Sequence, residues 1–126
     1  MKLKRTAKGL ALFTIESIPA NQQIIEYVGP IINSKERSAI GGKFLFEIDN
    51  HQTVDGRARS NKARYISHSC APNSFARIIS NRIWIWSKKT IKPGEEITIH
   101  YGKKYFEAYI KPIGCKCQKC LQALQN

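Results

Sequence analysis

The hydrophobic residues of this chain fall in short runs bounded by turn residues, and most of those runs predict strands. Leu10 to Ile15 is apolar enough for a strand, although its alternation is poor. Ile18-Pro19-Ala20-Asn21 reads as a turn. Gln23 to Val28 alternates, carries β-branched residues and is ended by Gly29-Pro30. Asn33 or Ser34 can cap a short helix through Ile40, with Glu36 in its first turn and Gly41-Gly42 as its stop. Phe44 to Asp49 reads as a strand, Asp49-Asn50 as a turn, and Gln52 to Asp55 as a short strand ending at the Asp55-Gly56 turn.

In the second half, Phe75 to Ser80 and Ile83 to Ser87 predict a hairpin around Ser80-Asn81-Arg82. Ile83, Ile85 and Ser87 share one face of its second strand, and Trp84 and Trp86 share the other. Two tryptophans on one face need cover, which predicts a second layer packed against them. Lys92-Pro93-Gly94-Glu95 is a turn before a last strand, Glu96 to Tyr101. Residues 1 to 9 read as a basic arm ending at Gly9. Internal repeats, low-complexity stretches and linkers are absent from the 126 residues, so a single, mostly β domain is expected.

Composition agrees: 42% hydrophobic and 24% charged residues are ordinary for a globular protein. No apolar run approaches the ~20 residues of a membrane span. The start, MKLKRTAKGLALFTI, is basic with a short apolar run, but Glu16 follows at once and no small-residue cleavage site is present. An intracellular, non-secreted protein without membrane association is expected. Charge changes the picture more. The net charge is +12, and between Arg57 and Lys92 there are nine basic residues and no acid. Such a surface suits sequence-independent, salt-sensitive binding of nucleic acid or another polyanion, or is simply well solvated.

Of the four cysteines, Cys115, Cys117 and Cys120 form C-x-C-x-x-C and Cys70 stands alone. The spacing suits a tetrahedral metal such as zinc better than a secreted disulfide framework. Four reduced, unliganded thiols are the alternative.

Cys70 lies in the densest chemical stretch of the chain, Ser60 to Asn73, SNKARYISHSCAPN. Polar, aromatic and thiol groups this close together line a site more often than a core. The stretch resembles the signature of the SET-domain lysine methyltransferases, roughly N-x-x-R-F-I-N-H-S-C-x-P-N. Asn61, Arg64, Ile66, His68, Ser69, Cys70, Pro72 and Asn73 match it; Tyr65 replaces the phenylalanine and Ser67 the second asparagine. Three further motifs follow the family's order. Glu26-Tyr27-Val28-Gly29 is similar to E-Y-x-G. Phe44 to Asp49 is similar to Y-L-F-x-(aliphatic)-D. Gly94-Glu95-Glu96-Ile97-Thr98-Ile99-His100-Tyr101-Gly102 is similar to G-E-E-(aliphatic)-T-x-x-Y-G. The opening G-x-G survives only as Ala7-Lys8-Gly9, which leaves open how tightly that first turn wraps. The resemblance runs from about Lys8 to Cys120.

It implies a SET fold, mostly β: short β-sheets, few short helices and a threaded C-terminal segment. A SET domain would occupy residues 1–110 and a post-SET-like cysteine tail residues 111–126, a minimal form with no preceding cysteine cluster. It also implies transfer of a methyl group from S-adenosylmethionine to a protein lysine, leaving S-adenosylhomocysteine. Such a displacement needs a neutral amine, held in line with the methyl carbon and sulfur in an apolar, aromatic channel. Tyr101 and Tyr27 are the candidate catalytic residues. Tyr101 would position methyl and amine rather than act as a strong base, since a phenol has a pKa of ~10. Tyr27 would line the lysine channel with Tyr65 and Ile99. Lys8, Gly9, Leu10, Phe44, Arg64, Ser67, His68, Tyr101 and Tyr105 are the candidate cofactor contacts. Cys70 with Cys115, Cys117 and Cys120 would hold one structural zinc that pins the tail beside the signature, although the family's tail is two residues longer, C-x-C-x4-C. Ile99 stands two residues before the catalytic tyrosine, where many members carry Tyr or Phe, and its lack of a hydroxyl predicts products beyond monomethyl-lysine.

Histones are the family's commonest substrate class, yet a +12 enzyme suits a cationic tail poorly. Either Glu26, Glu47, Asp49, Asp55, Glu95 and Glu96 cluster at the substrate groove, or DNA bridges enzyme and substrate. A histone or other DNA-associated basic protein is the expected partner. The alternative is a basic, zinc-stabilised module with weakened catalysis that binds nucleic acid or protein. Ala7, Phe44 and Ser67 support that alternative; Tyr101 and His68 oppose it.

Overall fold

The structure, a computed structural model, describes residues 1–102, 110, 114, 115, 117 and 119–121. The first correction lies at the N-terminus. Lys2–Thr6 is not a basic arm but strand β1, antiparallel to β2 (Gly9–Phe13), with Lys2 opposite Phe13 and Thr6 opposite Gly9. Thr6 closes the two-residue turn: its Oγ1 donates to the Gly9 carbonyl at 2.8 Å and accepts the Lys8 N–H at 3.2 Å. Ala7 has no positive φ, so the turn needs no glycine there. The strand is invisible in the sequence pattern because Lys2, Leu3, Lys4 and Arg5 are all exposed. Only backbone pairing defines it.

The largest sheet has the order β3-β9-β8, where β3 is Gln23–Tyr27, β8 is Ser74–Ile79 and β9 is Arg82–Ser87. Ser80 and Asn81, at φ 51 and 61, make the two-residue loop between β8 and β9. Positive φ at both positions matches the right-handed strand twist. Ile83 and Ile85 are fully buried and pack with Leu12, Tyr27, Val54, Ile66, Ile97 and Ile99 in one core. Among the described residues, the cover seen on the tryptophan face comes from arginines rather than from a second sheet or helix. Arg77 covers Trp86 at 5.0 Å and Arg82 covers Trp84 at 5.7 Å, leaving both rings half-buried. A guanidinium on an indole face supplies both cation–π attraction and apolar cover.

A second sheet, β4-β6-β5, joins Ile31–Ile32, Thr53–Asp55 and Leu45–Glu47. Helix α1, Ser34–Ile40, lies between β4 and β5 in the chain. Asn33 is its N-cap in a capping box with Glu36, and Gly41 ends it at φ 63. The expected last strand shrinks to β10, Thr98–Ile99, parallel to β7, Ser67–His68. A 3₁₀ turn, Lys62–Tyr65, opens the signature. Among the described residues no helix is long and apolar enough to cross a membrane.

Candidate active site and thiol cluster

Two buried asparagines set the frame of the signature stretch. Asn61 is fully buried; its Oδ1 accepts the Val28 N–H at 3.0 Å and its Nδ2 donates to the Gly56 carbonyl at 3.1 Å. This ties the stretch to β3 and to the turn after β6. Gly56 has no room for a side chain, since a Cβ there would lie 2.4 Å from the Tyr27 ring and 2.6 Å from Asn61 Nδ2. At the other end, Asn73 Nδ2 donates to the Glu96 carbonyl at 2.7 Å and its Oδ1 accepts the Thr98 N–H at 3.0 Å. Between these struts β7 pairs with β10, and Ser69 N–H donates to the Ile99 carbonyl at 2.9 Å. The signature is thereby laid beside the segment that carries Tyr101.

The result is a cleft of about 1400 Å³. That exceeds the ~300–1,000 Å³ of an ordinary ligand pocket, leaving room for a nucleoside-sized ligand and an entering side chain. Lys8, Leu10, Tyr27, Phe44, Arg64, Tyr65, Ser67, His68, Ile99 and Tyr101 all line it. Gly9 does not, although its two neighbours do, and Tyr105 lies outside the described residues. The Tyr101 hydroxyl donates to the Ile66 carbonyl, so toward the cleft it can act only as an acceptor. Tyr27 packs against Phe46 with ring centroids 5.3 Å apart. Ile99 is buried and shares the core with both Tyr27 and Ile66.

Phe44 sits at φ 67, a strained value for an aromatic residue, with its carbonyl accepting the Gly56 N–H at 2.7 Å. This is why the expected strand starts at Leu45 rather than Phe44. Its ring lies 4.2 Å from the Arg64 guanidinium, which also faces Tyr65 at 5.0 Å and donates to the Tyr65 hydroxyl at 3.2 Å. Arg64 Nε is buried without a hydrogen-bond partner among the described residues. Such a nitrogen has a donor to offer an acceptor on a ligand.

His68 accepts the Tyr101 backbone N–H on Nδ1 at 3.1 Å. Burial, with the nearby charges of His100 and Lys8, lowers its pKa to about 4, so the ring is neutral near pH 7. His100, which sequence reading passed over, packs against it edge-on at 4.5 Å. Its place in the register, directly between Ile99 and Tyr101, was the available signal. Phe46 and the Ile66 carbonyl were also missed. A backbone acceptor leaves no trace in residue identity.

The four cysteines come together. Cys70 Sγ lies 3.9 Å from Cys115 Sγ and 3.6 Å from Cys120 Sγ, and all four sulfurs fall within 4.8 Å of one another. Sulfurs on a tetrahedron with ~2.3 Å zinc bonds stand ~3.8 Å apart. The shorter C-x-C-x-x-C loop therefore reaches, helped by a turn in which Leu121 N–H donates to the Cys117 carbonyl at 3.0 Å. Burial and the neighbouring thiols push Cys70 up to about 12. Burial also raises Cys117, but the backbone N–H groups of Cys70 and Cys120 and the Cys115 and Cys120 thiols together outweigh it and bring that thiol down to about 6. Four thiols this close cannot all ionise unaided, and a dication is what would let them.

The six acids show no acidic groove at this cleft. Only Glu47 lines it, and Glu47 is paired with Arg37. Glu26 pairs with Arg82 on the outer sheet face and Asp55 with Arg57.

A small-sheet β fold, a signature laid in parallel beside the segment that ends in a tyrosine, and a thiol cluster at their junction define a recognisable class. The SET-domain family model matches residues 9–102, and the chain belongs to that family. Among curated proteins it is similar to the Caenorhabditis elegans histone-lysine N-methyltransferase set-2, 42% identical over 122 residues, which is 86% of this chain and 8% of that protein. The Dictyostelium discoideum histone-lysine N-methyltransferase set1 is 36% identical over 126 residues, 90% of this chain and 8% of that protein. The Schizosaccharomyces pombe histone-lysine N-methyltransferase, H3 lysine-4 specific, is 40% identical over 121 residues, 86% of this chain and 13% of that protein. The chain thus spans about a tenth of the length of these relatives.

Proposed function

We propose that this chain is a protein-lysine N-methyltransferase acting on the basic tail of a histone or histone-like protein, with S-adenosylmethionine as methyl donor and one structural zinc. The observation that carries the reading is the convergence of Tyr27, Arg64, His68, Ile99 and Tyr101 on one cleft in a chain of the SET family. The donor supplies an electrophilic methyl group on a sulfonium. The residues fit it: Arg64, with its buried unpartnered Nε, suits the donor's carboxylate, and Phe44, Lys8 and Leu10 line the same cleft. Tyr105 remains a candidate cofactor contact.

The protein's part is orientation. Tyr27 and Phe46 offer an apolar, aromatic wall that disfavours the charged form of an entering lysine and so lowers its pKa. With its own proton held by the Ile66 carbonyl, the Tyr101 oxygen would accept from an entering amine and from the C–H groups of a bound donor's methyl. Proximity of this kind supplies most of the rate in a displacement at carbon. Ile99 supports products beyond monomethyl-lysine, since no hydroxyl at that position anchors a water beside the amine. The Tyr65 hydroxyl is engaged by Arg64.

The weakened-module reading loses part of its support. The hairpin turn closes without the first glycine, and Phe44 stacks on Arg64 without needing a hydroxyl. Ser67 alone still favours it. A histone substrate is supported by relatives named for histone H3 lysine 4, and it points to the nucleus or to chromatin as the place of action. The charge of +12 is then met by DNA bridging rather than by an acidic cleft. The deciding experiment incubates the protein with labelled S-adenosylmethionine, free histone H3 and nucleosomes. Label on lysine, greater on nucleosomes, is expected; no lysine label on any basic substrate would overturn the reading.

A further inference from the structure

His68, Cys70 and His100 bring their ligating atoms within 4.8 Å of one another, beside the four-sulfur cluster and sharing Cys70 with it. Taken by distance alone, the trio looks like a second metal group. Its hydrogen bonds say otherwise. The Tyr101 backbone N–H can only donate, so His68 Nδ1, 3.1 Å away, carries the lone pair. A neutral imidazole that accepts on Nδ1 keeps its proton on Nε2. His100 is in the same condition, since its Nδ1 accepts the Gly102 N–H at 3.0 Å. A nitrogen that bears a proton is no ligand. His68 Nε2 lies 3.5 Å from Cys70 Sγ, and there an N–H meets sulfur.

We propose that His68 is a positioning residue that couples the metal site to the reaction centre, its Nε2–H donating to the metal-bound thiolate of Cys70 while its Nδ1 holds the Tyr101 backbone. The inference rests on the four-thiol metal reading and on Tyr101 as the residue that positions the methyl group. The ring has little freedom to do anything else. Residue 68 is paired with Ile99 through β7 and β10, Ser69 N–H clamps the next position, and His100 packs on the ring edge. An N–H donated to a thiolate withdraws charge from sulfur and screens it from protons and oxidants. The same ring sets the backbone height of Tyr101, whose hydroxyl reaches the Ile66 carbonyl. One side chain thus connects the sulfur cluster to the Tyr101 backbone in two hydrogen bonds. It follows that the imidazole itself is engaged away from the cofactor, and that any cofactor contact at residue 68 is made by the backbone.

The test uses the full chain and needs no turnover. The metal site is loaded with ¹¹³Cd and His68 is followed by ¹H–¹⁵N spectroscopy. The expected result is a proton on Nε2 with a scalar coupling between that proton and the metal, transmitted through the N–H···S bond. A proton on Nδ1, or bound cadmium without the coupling, overturns the bridge. Failure of the chain to bind any metal overturns the bridge and the metal reading together. In a parallel measurement, zinc loss to a chelator is timed in the His68→Phe and His68→Gln variants. Phenylalanine keeps the ring volume and loses both bonds, and about 10- to 100-fold faster loss is expected. A glutamine amide can both accept from Tyr101 and donate to Cys70, so it should recover most of the difference. Equal rates in all three proteins would overturn the proposal. Absence of lysine methylation with the coupling intact would instead count against the functional reading alone.

Discussion

Ser60–Asn73 and the cysteines beyond Gly114 meet at one sulfur cluster, yet different forces hold them. The signature stretch is pinned at both ends by buried asparagine side chains, each bonded to two or more backbone groups of other segments. Removing the cluster would leave those bonds intact. For Cys115, Cys117 and Cys120, the hydrogen bonds to the signature among the described residues run through sulfur. Such contacts are weak between thiols and strong only through a metal. Among the described residues, one region is held by the chain's own backbone and amide bonds, and the other, under the proposed zinc reading, by what its sulfurs bind.

Metal removal breaks this comparison most directly. Structural zinc contributes about 10–16 kcal/mol in small peptides, where folding depends on it entirely. Here the sheets have their own core, so a chelator should free Cys115 to Cys120 while the strands persist. Hydrogen exchange should rise beyond Gly114 with the circular-dichroism spectrum nearly unchanged. Collapse of the whole spectrum on chelation would show that the two regions are not separable.

Within the signature side, Tyr101→Phe removes the hydroxyl bonded to Ile66 and keeps the ring. Cofactor affinity by calorimetry should stay within a few-fold, while the methyl-transfer rate falls by about 10²-fold or more. A wild-type rate would place the positioning group elsewhere. Gly56→Ala asks how rigid that side is. Its new methyl overlaps the Tyr27 ring and the Asn61 amide. A loss of about 1–3 kcal/mol is expected from urea denaturation, with the zinc content unchanged.

A finer change is Ile99→Tyr, which adds a hydroxyl to the cleft wall without touching the thiols. The product ladder read by mass spectrometry should shift toward one methyl group. A wild-type ladder that already stops at one would mean another residue restricts the pocket. The smallest effect concerns Asp55, whose carboxyl is held below its usual range chiefly by the Arg57 guanidinium. A carboxyl with a depressed folded pKa contributes stability that is present above its unfolded pKa of ~3.9 and is lost as pH falls through the folded value. The pair is largely solvated, so the shift in urea midpoint below pH 4 should be slight, and Arg57→Ala should flatten it.

Much of this could be read along the chain. The Asn33-to-Gly41 helix, the Ser80-Asn81 hairpin and the strand at Gln23 are specified by neighbours a few residues away, through caps, turns and alternation. The residue types of the proposed site were readable for the same reason: the methyl-transfer reading calls for phenols, a cation and an apolar wall, and those side chains are covalent facts. Which way they face was not. Alternation splits β9 into an isoleucine face and a tryptophan face, but only Tyr27, Ile25 and the core decide that the isoleucines go in and the arginines cover the indoles. Lys2–Thr6 is a strand only because β2 lies beside it. Asn61 and Asn73 stand in a functional motif, yet tertiary structure uses them as struts. The pairing of Ser67-His68 with Thr98-Ile99 joins residues far apart in sequence. That one non-local contact brings His68, Cys70 and Tyr101 to the same place. Local patterns record what each residue can do with its neighbours; backbone pairing across such a distance carries no residue code, so only the folded chain decides it.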